Sequence, residues 1–102
     1  MDKAKYTIGQ VVKHIKQNYR GVIIDVDYSF QPQGLNSPIT IKKNIANEQP
    51  WYRILVDDSS HITYVKETLL DKDSEDFPIS HPELYNYLTE KNGQYTSQQL
   101  LN

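Results

Sequence analysis

Between Tyr19 and Asp27 the chain alternates in the way a half-buried strand does. Val22, Ile24 and Val26 share one face, and Ile23, Asp25 and Asp27 share the other. Upstream, Tyr6 to Ile15 is rich in β-branched residues and reads as a partner strand, with Gly9 marking a bulge or a close backbone approach. Its inward face is ambiguous, because the adjacent Val11 and Val12 point to opposite sides. Asn18, which tolerates positive φ, is the expected turn between the two strands. Trp51–Asp57 and His61–Lys66 form a second antiparallel pair about the turn Asp57-Asp-Ser-Ser60, and Leu69-Leu70 can add a short fifth strand. The acidic stretch Asp71–Asp76 reads as a loop.

Two regions break this period. From Tyr28 to Pro50 the alternation disappears, and the segment holds Pro32, Gly34, Pro38, Pro50 and the basic run Thr40-Ile-Lys-Lys-Asn44. A connection this long is unusual in a compact domain, so it reads as a functional flap or as carrying a helical turn near Ile39–Ile45. Near the end, Ser80-His-Pro-Glu83 has the form of a capping box, followed by Leu84, Tyr87, Leu88 and Lys91 at helical spacing and by Asn92-Gly93 as a stop. The expectation is a mainly β fold, a small SH3-like or OB-like antiparallel barrel with a C-terminal helix. It spans 1–93, with a flap at about 28–50 and a polar tail at 94–102.

Composition narrows the chemistry. The 102 residues are 37% hydrophobic and contain no Cys, which excludes disulfide frameworks, zinc ribbons and thiol nucleophiles. A mean hydropathy of −0.69 argues against a large internal cavity. No apolar run suits a secretory leader or a membrane span, so a cytoplasmic, soluble protein is expected. The net charge of −2 conceals an asymmetry: residues 1–53 carry eight basic against four acidic groups (+4), and residues 54–102 three against nine (−6). Only the first part could supply a surface for nucleic acid.

His14, His61 and His81 are dispersed, without metal spacing, and no metal or cofactor is expected. Asp25 and Asp27 share a strand face as paired catalytic acids do, yet a polar strand face paired with Arg20 or Arg53 is the simpler reading. The run from Asp71 to Pro82 starts like a calcium loop but lacks its Gly and its final Glu. With no phosphate loop and no nucleophile elbow, an enzyme is not expected.

Five blocks in order, Ile8-Gly-Gln-Val-Val-Lys-His14, Tyr19-Arg-Gly-Val-Ile-Ile-Asp-Val-Asp27, Gln49-Pro-Trp-Tyr52, Tyr64-Val65 and Ile79-Ser-His-Pro82, carry a resemblance. Over roughly Ile8 to Leu88 the chain resembles the YccV-like family, also called hemimethylated-DNA-binding protein or heat-shock protein Q. Where that family typically has Phe-Gly before Tyr-Arg-Gly, this chain has Gln17-Asn18, and Ser29–Ala46 departs from the family pattern.

The resemblance implies a small SH3-like barrel without enzymatic activity that forms a small homo-oligomer, a trimer being one such assembly. It implies two activities: modulation of regulated proteolysis by an ATP-dependent, Lon-type protease acting on its substrates, and recognition of hemimethylated DNA at the replication origin. The first is the main expectation, because a pI of about 5.8 is low for a DNA binder. The candidate set for DNA or partner binding is Lys13, His14, Lys16, Arg20, Lys42, Lys43, Trp51, Tyr52 and Arg53: cations for phosphates and aromatics to stack on bases.

Overall fold

The computed structural model describes residues 4–28, 49–75 and 78–98. The expected flap, with Lys42 and Lys43, lies almost wholly outside these residues. A five-stranded antiparallel sheet forms the body, in the order β4-β3-β2-β1-β5. Its strands are β1 (Val11–His14), β2 (Arg20–Asp27), β3 (Trp51–Val56), β4 (Ile62–Lys66) and β5 (Leu70–Lys72). The turns follow the local chemistry: Asn18 and Asp58 both adopt positive φ, which short polar side chains tolerate.

Both faces of this sheet are buried, which resolves the ambiguity at Val11 and Val12. Val12, Ile23, Tyr52, Ile54, Val65 and Leu70 pack with Tyr6 into an inner core. Val11, Val22, Ile24 and Leu55 point the other way, into an outer core completed by Ile79, Leu84, Leu88 and Tyr95. The register shift between Ile23 and Asp25 separates Val26 from the face expected for it, and Val26 packs on the inner core. Such a bulge adds one residue to one strand and inverts the parity beyond it.

The expected closed barrel is not formed among the described residues. No ladder joins the edge strands β4 and β5, which are separated in sequence only by the 3-10 turn Glu67–Leu69. That turn carries the chain from the edge beside β3 to the edge beside β1. The turn bridges the opening itself: the Lys5 amide donates to the Glu67 carboxylate at 2.8 Å and the Ile15 amide donates to Leu69 O at 3.0 Å.

The C-terminal helix is corrected as well. Helix α1 is a single turn, Leu84–Tyr87, and its cap is Glu83, with no side-chain capping bond. The Ser80 amide instead donates to Asp57 Oδ1, and the Glu83 amide is taken by His81 Nδ1. Leu88–Lys91 (β6) and Gln94–Ser97 (β7) then pair as an antiparallel hairpin. Asn92 (φ 56°) and Gly93 (φ 75°) form its two-residue loop, both left-handed as a type I′ turn requires. Gln94–Ser97, expected to begin a polar tail, is thus a strand with Tyr95 buried in the outer core.

Gly9 explains how the hairpin docks. A Cβ there would lie 2.2 Å from Tyr95 O, and its φ is +94°. The bare backbone of the β1 approach is therefore in direct contact with β7, the close approach expected of this glycine.

Candidate nucleic-acid interface

The outer sheet face divides along β2 into three zones. At one end stand Lys13 and Arg20, directly paired across β1 and β2. The middle is covered by α1 and the hairpin. At the other end, beyond that cover, the register places Asp25 opposite Arg53, Asp27 opposite Trp51, and Arg53 opposite Tyr64. The two ends are about seven residues apart on β2, roughly 20 Å at strand rise. The candidate residues therefore do not form one patch.

The first end is structural. Arg20 Nη1 donates to Asp57 Oδ2 at 2.9 Å and to Pro78 O at 3.0 Å, and its Nε donates to Asp73 Oδ2 at 3.0 Å. Burial alone would lower its pKa, but the hydrogen bonds and charges of Asp73 and Asp57 outweigh that and hold it above its ordinary value. Arg20 is thus committed to joining β2, the β3–β4 turn, the segment after β5 and the segment before α1. It is not available to phosphates, and its partners are not the Asp25 or Asp27 expected.

His14 is also part of the framework. Buried beside Tyr19, with ring centroids 5.1 Å apart, its Nδ1 accepts the amides of Lys16 and Gln17 and shapes the β1–β2 turn. Burial, and then the charge of Lys16, lower its pKa, so the ring is neutral in the physiological range. Lys13 and Lys16 are exposed, near this turn.

Tyr52 is fully buried and cannot stack on a base. Its hydroxyl donates to Glu67 Oε2 at 2.8 Å and accepts the Tyr6 amide at 3.2 Å. Burial raises its pKa far above the usual tyrosine value, and Glu67 adds to the effect.

Trp51 and Arg53, one residue either side of Tyr52, face outward and are partly exposed. The Trp51 and Tyr64 rings lie 5.2 Å apart at 31°, and the Arg53 guanidinium sits 4.8 Å from the centroid of Tyr64. Tyr64 Oη donates to Asp27 Oδ2 at 2.7 Å, which fixes the ring beneath the guanidinium. Lys66 stands opposite Trp51 on β4. Trp51, Arg53, Tyr64 and Lys66 thus form an aromatic and cationic strip, flanked on β2 by Asp25 and Asp27. The candidate set lacked Tyr64 and Lys66, although position-two spacing along Tyr64-Val-Lys66 would have placed both beside Trp51.

The strip leads into a groove of about 600 Å³ between the sheet and the C-terminal layer. Ile24, Asp25 and Arg53 form its sheet side, and Asn86, Tyr87 and Gln98 its opposite wall. Among the described residues no group of three or more His, Asp or Glu could hold a metal ion. Among them, too, no helix is long and apolar enough to cross a membrane.

A family model described as hemimethylated DNA-binding protein YccV like matches residues 4–95. The chain belongs to this family. The match runs from the segment before β1 to the middle of β7, so for this YccV-like chain it takes in the whole sheet, the strip and most of the groove wall.

Proposed function

We propose that this chain is a non-enzymatic DNA-binding module of the YccV-like type, an SH3-like scaffold that contacts DNA through the strip Trp51, Arg53, Tyr64 and Lys66. The family match over residues 4–95 carries the reading. The geometry supports it: Arg53 is positioned over Tyr64, so little side-chain entropy is lost when it meets a phosphate or a base edge. Trp51 adds a surface suited to stacking.

Two phosphate contacts by Arg53 and Lys66 correspond to a slope of about −1.8 in log affinity against log salt, far shallower than five contacts would give. Fluorescence anisotropy with hemimethylated, unmethylated and fully methylated duplexes at several salt concentrations tests this. Hemimethylated duplex should bind tightest, and Arg53→Met should flatten the slope by about 0.9. Equal affinity for all three duplexes, or an unaltered slope in Arg53→Met, refutes the proposal. Trp51 is the single tryptophan, so its emission reports the contact directly.

A second reading, an accessory that modulates a Lon-type protease, draws support from large exposed apolar side chains such as Ile15 (51%) and Tyr85 (60%). It predicts that added chain changes the rate at which the purified protease degrades a reporter substrate. An unchanged rate across a wide concentration range eliminates it.

A further inference from the structure

The groove beside Arg53 is built differently from the strip that leads into it. We infer that it receives a single base swung out of the DNA duplex, one that presents an exocyclic amine. The inference rests on the DNA-binding reading and names what that surface would read.

Asp25 lies in the groove wall opposite Arg53, so the groove offers a carboxylate acceptor beside the cation, and a carboxylate at a base edge accepts N–H donors. Asp25 Oδ1 already accepts the Val26 amide at 3.0 Å, which orients the carboxylate, and an ionised carboxylate retains acceptor capacity beyond one such bond. The exocyclic amine of adenine, cytosine or guanine presents two N–H donors to such a carboxylate, whereas thymine has only its ring N3–H.

The remaining wall suits a flat heterocycle. Ile8 and Ile24 supply apolar surface, and Tyr87, 41% exposed, offers a ring for stacking. Asn86 adds a side-chain amide able to donate and accept. The groove's volume of about 600 Å³ is in the range of small-molecule sites. Arg53 belongs to both strip and groove, so a phosphate held at the strip brings its neighbouring base to the groove mouth.

Among the described residues the usual alternative for reading a base is disfavoured. Helix α1 has four residues, too few to lie along a major groove, and the β6–β7 ribbon is held to the outer core through Leu88 and Tyr95. Extrusion costs a few kcal/mol of stacking and pairing, which contacts to the base edge can offset.

The test uses the full chain and hemimethylated duplexes with 2-aminopurine placed beside each amine-bearing base in turn. Its emission rises several-fold when the adjacent base leaves the stack, and binding is followed separately by anisotropy. One position should brighten on binding. Asp25→Ala and Tyr87→Ala, both at exposed side chains, should abolish the rise and weaken binding roughly tenfold, about 1.4 kcal/mol. Saturable binding without brightening at any position overturns the inference and leaves the DNA-binding reading intact. An absence of binding in anisotropy overturns both.

Discussion

Replacing Arg20 by Met keeps most of the aliphatic stem and removes the guanidinium that joins four segments. Three hydrogen bonds are lost, to Asp57, Asp73 and Pro78 O, all between 2.9 and 3.0 Å. Hydrogen bonds to charged groups contribute about 1.5–3 kcal/mol each when sheltered, whereas exposed ion pairs give about 1 kcal/mol or less. Here the side chains of Arg20, Asp57 and Asp73 are 24%, 19% and 11% exposed, so the lower part of that range applies. Arg20 Nη2 is buried with no hydrogen-bond partner among the described residues, and this offsets part of the gain. The net loss in Arg20→Met is roughly 3 kcal/mol, a large share of the stability of a domain of this size. Urea denaturation followed by Trp51 emission should show a midpoint lower by about 2 M, and the melting temperature should fall by roughly 12–24 °C. Arg20→Lys should recover less than half, since one ammonium cannot reproduce the fork. A midpoint shift below about 0.3 M in Arg20→Met would show that the junction contributes nothing beyond a surface ion pair.

Other outcomes follow from the same contacts. The native state resists protonation of His14, so the unfolded chain binds more protons just below its ordinary pKa of 6.5, and stability should fall as pH drops from there towards the lowered native value; His14→Asn, which keeps an acceptor for the turn, should lack this slope in pH-dependent urea titrations. Gly9→Ala places a methyl group against the Tyr95 carbonyl at a φ of +94°, and a loss of about 3 kcal/mol or more is expected in thermal denaturation. Tyr95→Ala should cost about 3–5 kcal/mol in the same assay, whereas a residue of a frayed tail would cost almost nothing. Tyr52→Phe should lower stability by about 1–2 kcal/mol through loss of the Glu67 bond while leaving DNA affinity unchanged, since Tyr52 is wholly inside.

Much of the sheet was legible because its cause is local. The existence of β2, the positive φ at Asn18 and the Asp57–Ser60 turn all follow from neighbouring residues, whereas the bulge after Ile23, which moves Val26 to the inner core, has no local signal. Parity along β3 was not legible, since Ile54-Leu55-Val56 is buried on both faces and gives no sign of which neighbour, Trp51 or Tyr52, points inward. The helix was misread for a related reason: Leu84, Tyr87 and Leu88 fit a helical stripe, but Asn92-Gly93 is also the strongest short hairpin signal. The hairpin prevails because it places Leu88 and Tyr95 together over the sheet. At the candidate site, Trp51 and Arg53 were chosen from residue type alone, and the register sets both on the outward face. Arg20 was misassigned because its carboxylate partners lie 37 and 53 residues away, a separation that no local pattern reports.

The adjacent residues Val11 and Val12 never share a core, and this has a kinetic consequence. The outer layer is held by the hairpin and α1, whereas the inner core is enclosed by the sheet itself. The outer layer can therefore peel away as a cooperative unit while the amides of the central strands stay protected. Amide exchange would then fall into two tiers, with β6 and β7 opening at lower free energy than β2 and β3. Since the groove has one wall on each tier, its lifetime in the closed form would be set by the faster one.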